Sequence, residues 1–157
     1  MVKTTGKSHP PKVGEGKRGE EGHLGYLLRQ AAGAYRQRMD RALADLHVTP
    51  PQFAVLTMLA TYPGYSNADL ARLALLTPQT VSVIVANLER MGAIERRPHA
   101  VSQRIVQLGL TKAGHALLAR CRAYVDVVER DLGAGLTSAE DRVVRRWLVG
   151  TATRGTT

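Results

Sequence analysis

The segment from Thr77 to Gly92, TPQTVSVIVANLERMG, carries a helix with both of its ends written in, and it constrains everything around it. Thr77 is a capping residue, Pro78 stands at the first helical position where a missing N–H costs nothing, and Gly92 can close the helix in a left-handed turn. Between them Val81, Ile84, Val85 and Leu88 follow the spacing i, i+3, i+4, i+7, which turns one apolar stripe toward a core. The opposite face holds Gln79, Ser82, Val83, Ala86, Asn87 and Arg90. These groups are short or hydrogen-bonding and let a helix lie close against another surface, of which a DNA major groove is one.

The flanks decide what kind of helix this is. Ser66-Asn67-Ala68-Asp69 resembles a capping box with Asp in place of Glu, and Leu70, Leu73 and Ala74 add a short apolar stripe, so a second helix precedes the first across a tight turn. After it, Ala93 to Arg97 and Arg104 to Leu110 read as two short strands around a basic, proline-containing loop. Helix, turn, helix and β-hairpin in that order predict a mainly α fold with a small β-hairpin, a winged helix-turn-helix. The competing reading is a small helical domain with an incidental hairpin. It explains less, because the hairpin tip and the exposed helix face suit one common binding surface.

Charge points the same way. Against 13 Asp+Glu stand 22 Lys+Arg, a formal net charge of +9 that favours a polyanionic partner. A single cysteine rules out an internal disulfide and fits a reducing compartment. No apolar run approaches the roughly 18 to 20 residues of a membrane span, and the N-terminus has no apolar signal region, so a cytoplasmic protein without a membrane partner is expected. His9, His23, His47, His99 and His115 show no ligand spacing with one another or with Cys121, which argues against a metal site built from sequence neighbours. With no phosphate-binding glycine loop, nucleophile elbow or paired carboxylates, neither a cofactor nor catalysis is expected.

Taken in order, residues 1–22 are rich in Lys, Gly, Pro and Glu without hydrophobic periodicity and predict a disordered basic tail. From His23 a long helix holds Leu24, Leu27, Leu28, Ala31, Tyr35, Met39, Ala42, Leu43 and Leu46 on one stripe. Thr49-Pro50-Pro51-Gln52 starts another helix, buried through Phe53, Leu56, Met58 and Leu59 and ended by Tyr62-Pro63-Gly64. Past the hairpin Thr111 caps a long helix with Leu117, Cys121, Tyr124, Val125, Val128 and Leu132 on one face, broken at Gly133 and Gly135. Thr137 to Glu140 caps a last short helix striped by Val143, Val144, Trp147 and Leu148, with residues from Gly150 frayed.

This gives one domain over residues 23–151, with a DNA-binding lobe at 49–110 between dimerisation helices at 23–47 and 111–151. The lobe is too small to cover the apolar stripes of the terminal helices. A second copy would cover them, with Leu24, Leu28, Leu136, Val144, Trp147 and Leu148 as candidate interface residues. A two-fold dimer also sets two reading helices about 34 Å apart, one duplex turn, which suits a near-palindromic operator. A monomer whose terminal helices fold back as a cap is the alternative.

The segment SNADLARLALLTPQTVSVIVANLERMGAIERR, together with LTKAG after the hairpin, resembles the MarR family of bacterial transcriptional regulators from about Leu24 to Trp147. The resemblance implies a homodimer with interlocking terminal helices, the helix from Pro78 in the major groove, the wing near the minor groove, and repression relieved by a small, often aromatic, ligand. Two departures stand out: Val83 where many members carry a basic residue, and Ser102-Gln103-Arg104 where most carry Asp-x-Arg. Expected DNA contacts are Val83 with a thymine methyl and Gln79 and Asn87 with base edges. Thr80, Ser82, Arg90, Arg97 and Arg104 fall to phosphates or the minor groove.

Tyr35, His47, Tyr62 and Tyr65 are candidate ligand-lining residues, none of them within a motif. Cys121 lies on an apolar stripe, where a buried inert thiol is the expectation. The functional expectation is a sequence-specific DNA-binding regulator, a homodimeric repressor released by a small aromatic or acidic effector. The alternatives are a winged-helix protein-interaction module and a sequence-tolerant architectural DNA binder.

Overall fold

The computed structural model describes residues 9–98 and 106–154. The chain forms two compact units, Met1–Gln37 and Arg38–Thr157, so the dividing line falls inside the first long helix.

In the first unit, part of the segment expected to be structureless is folded by local hydrogen bonds. The Glu15 carboxylate accepts from the Lys12 N–H at 2.9 Å, the Gly14 N–H donates to the Arg18 carbonyl at 3.0 Å, and Arg18 Nη1 donates to the Pro11 carbonyl at 2.9 Å. Gly14 and Gly16, both at positive φ, permit the 3-10 turn Gly16–Arg18 that these bonds enclose. None of this depends on hydrophobic periodicity, which is why a reading by periodicity passes over it. Helix α1 then runs Leu24–Leu43 across the dividing line.

The second unit begins with the end of α1, where Met39 and Leu43 are buried, followed by a 3-10 turn Ala44–Leu46. Helix α2, Pro50–Thr61, starts in a reciprocal box: Thr49 Oγ1 accepts from the Gln52 N–H while Gln52 Oε1 accepts from the Thr49 N–H at 2.9 Å. Its fully buried residues are Val55, Leu56 and Leu59. Phe53 and Met58, expected inside, are only partly buried against the core. Helix α3, Asn67–Ala74, and helix α4, Pro78–Arg90, complete the motif, and the chain bends by 113° between them. That is the helix-turn-helix range of about 90–120°. Leu75 closes α3 in the left-handed conformation (φ 53) with its side chain almost wholly exposed, where glycine is the ordinary solution.

Val81, Ile84, Val85 and Leu88 of α4 are all buried in one core with Leu56, Leu70, Ala93, Ile94, Leu108 and Leu118. The wing is β1, Ile94–Pro98, antiparallel to β2, Val106–Leu110, in a register that pairs Ile94 with Leu110 and Pro98 with Val106. Its tip, with the predicted contact Arg104, lies outside the described residues. Tyr62-Pro63-Gly64 does more than end α2. The Gly64 N–H donates to the Leu108 carbonyl at 3.2 Å and the Leu108 N–H to the Tyr65 carbonyl at 3.3 Å, so this loop lies along the other edge of β2.

Helix α5, Lys112–Leu132, is capped by Thr111, whose Oγ1 accepts from the Gly114 N–H at 2.9 Å and donates to the Gly92 carbonyl at 2.6 Å. Leu118, Cys121, Val125 and Val128 form its buried side. Tyr124 and Leu132, expected on that side, are about half exposed: Tyr124 stands at the edge of the stripe, whereas Leu132 is in line with it at the last turn of the helix. Helix α6, Ser138–Thr153, is longer than the short frayed helix expected and continues through Gly150. Among the described residues no single helix is long and apolar enough to cross a membrane.

The cap of α3 makes a pH prediction. Asp69 Oδ2 accepts from the Ser66 N–H at 3.0 Å and the Ser66 hydroxyl at 2.6 Å, and Arg72 pairs with Oδ1. These bonds, chiefly those from Ser66, hold the carboxyl down at about 2. A carboxyl lowered by folding contributes stability that is complete above its unfolded pKa of about 4 and disappears as pH falls through its folded value. Between about pH 4 and 2 the melting temperature of the native chain is therefore expected to fall more steeply than that of Asp69→Asn. Parallel curves in thermal melts would show that the cap does not titrate.

Candidate nucleic-acid interface

Because α4 buries one stripe completely, its opposite side is left open by geometry alone. Gln79, Thr80, Ser82, Val83, Ala86 and Arg90 are exposed and Asn87 is half-buried. Val83 is 58% exposed, a β-branched apolar side chain left largely open to solvent. The start of the helix is held by Thr77 Oγ1, which accepts from the Thr80 N–H at 3.1 Å and shares a hydrogen bond with the Thr80 hydroxyl at 2.8 Å.

The polar groups on this side are partly committed to each other. Arg90 donates to Asn87 Oδ1, so these two predicted contacts stand side by side. Ser82 Oγ donates to the Pro78 carbonyl at 2.9 Å and accepts from Asn67 Nδ2 at 3.2 Å. Its hydroxyl proton is thus already used, and Ser82 ties α3 to α4 as well as facing outward. In the sequence Asn67 belongs to the capping segment that starts α3. Its contact spans 15 positions, for which single-sequence patterning has no signal.

The wing is joined to the reading helix by a pair that the sequence reading also missed. Arg96 on β1 donates through Nε to Glu89 Oε1 at 2.7 Å and through Nη2 to Oε2 at 3.1 Å, a two-pronged bond from strand to helix. Arg97, the predicted contact, alternates with Arg96 along the strand and pairs with Glu95 two positions back. Both partners are solvent-exposed, and such pairs are worth only about 0.2–1 kcal/mol, so Arg97 can exchange its carboxylate for a phosphate at little cost.

Of the candidate ligand-lining residues, the fold brings two together: the rings of Tyr62 and Tyr65 stack at 5.1 Å, 9° from parallel. His47 is exposed in a left-handed turn (φ 53) before α2, and Tyr35 belongs to the first unit. Cys121 is buried, and burial pushes its thiol up from the ordinary range, away from the reactive thiolate. Among the described residues no three His, Cys, Asp or Glu side chains gather as metal ligands would.

The candidate interface residues lie where a second copy could reach them. Leu24, Leu136, Val144 and Leu148 are exposed, and Leu28 and Trp147 half-buried. Val127, Leu132, Val143 and Val149 extend the uncovered apolar surface along α5 and α6. Leu136, Ala139, Glu140, Val143 and Val144 line an open hollow of about 330 Å³ at the start of α6.

Comparison with known proteins bears on this surface. The sequence pattern of the MarR family matches residues 48–106, which take in α2 to the start of β2. The HTH-type transcriptional repressor Rv2887 of Mycobacterium tuberculosis strain H37Rv is 36% identical over 129 residues, 82% of this chain and 93% of its own. A crystal structure of the Rv2887 complex with salicylic acid aligns at a TM-score of 0.67, covering 84% of this chain and 98% of that one at 36% identity. The Rv2887 complex with DNA aligns at 0.65 with 35% identity, covering 82% and 97%.

Proposed function

This chain belongs to the MarR family of transcriptional regulators, and we propose from that premise that it is a homodimeric, sequence-specific DNA-binding repressor, released from its operator by a small aromatic or acidic ligand. The observation that carries the reading is α4: one side fully buried, the other uncovered, capped at Thr77 and tied to the wing through Glu89 and Arg96. The net charge of +9 supplies attraction to phosphate, and the relative's complexes with DNA and with salicylic acid support both binding partners. We place its work in the cytoplasm, where the genome is reached.

In this reading Val83 meets a thymine methyl and Gln79 and Asn87 reach base edges. Arg90 and Arg97 position the backbone, Thr80 and Ser82 assist at phosphates, and Arg104 serves the minor groove. Binding to a near-palindromic duplex is expected to lose affinity with salt at a slope of about −0.9 per neutralised phosphate. Arg90→Ala should weaken all duplexes alike and flatten that slope by about one contact. Val83→Ala should weaken binding only where one T·A pair is kept, by about 1 kcal/mol or roughly fivefold per protomer. A base-by-base operator scan at two salt concentrations checks all three. Affinity indifferent to salt would overturn the regulator reading in favour of a protein-binding winged helix, and unchanged base preferences in Val83→Ala would remove Val83 from the reading surface.

A further inference from the structure

The backbone at Leu75 sets a requirement that its side chain does nothing to meet. The Leu75 N–H and the Leu76 N–H, the latter at 3.0 Å, both donate to the Ala71 carbonyl, and φ at Leu75 is 53. This is the left-handed closure of a helix, and it lets Leu76 turn inward against the core and brings Thr77 into place as the cap of α4. A left-handed residue that carries a Cβ is strained, whereas glycine closes such a turn freely. Leucine therefore costs the fold something here. The fold draws nothing in return, because the Leu75 side chain is 91% exposed, the most open of the large hydrophobic residues described.

Its place in the chain says what covers it. Leu75 stands two positions before Thr77, at the end of α4 that a helix-turn-helix points into the groove while the preceding helix crosses the DNA backbone. The run from Leu73 to Leu88 holds no charged side chain, so this approach to the duplex offers only hydroxyls, amides and apolar groups. Thr77 and Thr80 share their hydroxyls at that end of the helix, and Val83 follows one turn further along. A helix N-terminus draws phosphate toward its free N–H groups. An apolar side chain beside it meets the apolar part of the same backbone, the deoxyribose between two phosphates.

We infer that Leu75 is a DNA-contacting residue, its side chain seated on a deoxyribose of the operator backbone beside the N-terminus of α4. The inference rests on the reading of the chain as a DNA-binding regulator and adds to it a contact that carries neither charge nor base information.

Three variants separate backbone from side chain. Leu75→Asn keeps a residue that tolerates the left-handed conformation and removes the apolar surface, Leu75→Gly removes the side chain altogether, and Leu75→Met keeps an apolar side chain of similar size. The probe is a duplex selected from a random-sequence pool by the wild-type chain. Affinity is expected to fall roughly fivefold per protomer in Leu75→Asn and Leu75→Gly and to stay at the wild-type level in Leu75→Met. The salt slope and the base preferences are expected to be the same in all four proteins, since neither a phosphate nor a base contact is lost. The melting temperature of Leu75→Asn is expected to match or exceed that of the wild type, because the strain is eased and no packing is removed.

Undiminished affinity in Leu75→Asn and Leu75→Gly overturns the contact, as does an equal loss in Leu75→Met. A lowered melting temperature in Leu75→Asn, or its sedimentation as a monomer where the wild type is a dimer, overturns it by assigning the side chain to the fold or to the partner copy. A loss confined to duplexes that keep one particular base pair overturns the deoxyribose in favour of a base. If the wild type selects no duplex, the regulator reading falls and this contact with it, whereas a selected duplex that all four proteins bind equally removes Leu75 alone.

Discussion

Gly114→Ala is expected to be the most destabilising single substitution of a small residue in this chain. A Cβ built on Gly114 would lie 2.0 Å from the Ala93 carbonyl oxygen and 2.9 Å from its carbonyl carbon, both backbone atoms that no rotamer change can move aside. The Ala93 carbonyl is held in turn by the Thr111 N–H at 3.1 Å, so α5 cannot back away without releasing its own cap from the junction of α4 and β1. Alanine inside a helix gains about 1 kcal/mol over glycine, and overpacking costs about 1–3 kcal/mol or more when backbone must shift. At a 2.0 Å approach to backbone the cost lies at the top of that range, so the second effect wins, and a net loss of about 2 kcal/mol is expected in urea unfolding. Gly133→Ala is the control, because its Cβ would meet only ordinary contacts at 3.8 Å and its φ of −85 suits any residue. If both variants unfolded alike, the close approach of α5 to Ala93 would be wrong.

Leu148→Asp is expected to separate the dimer and with it the operator complex. In the single chain Leu148 is 43% exposed, so a carboxylate there costs the protomer itself little. In a two-fold interface the same charge is buried unpaired, at about 3–5 kcal/mol, and symmetry counts it twice. Every 1.4 kcal/mol is tenfold, so dimer affinity should fall by about four orders of magnitude or more. Sedimentation at micromolar concentration should then show a monomer, and operator affinity should drop because two reading helices no longer bind as one unit. A Leu148→Asp chain that still sedimented as a dimer would move the interface away from α6.

What could be read from residues alone has a common physical form: it is local. The caps of α2, α3, α4, α5 and α6 each close through hydrogen bonds three positions apart, so Thr49, Ser66, Thr77, Thr111 and Thr137 announce the helix starts without any knowledge of the fold. The buried stripe of α4 was legible for the same reason, since Val81, Ile84, Val85 and Leu88 recur with the period of the helix they belong to. Once that stripe is inward, the outward position of Val83 follows from geometry.

The tertiary structure decided whatever depends on which distant residue arrives. Asn67 reaching Ser82, Arg96 reaching Glu89, and the Gly64–Tyr65 loop lying along β2 leave no trace in local spacing. Only packing reveals why glycine stands at 114, and why Leu118 is inside while Tyr124 and Leu132 are half out: the neighbour, and not the helix period, sets which part of the stripe is covered. The turn at residues 12–22 was hidden for the opposite reason. Its bonds are local, but they run through backbone carbonyls, four glycines and one carboxylate, where apolar periodicity carries no information.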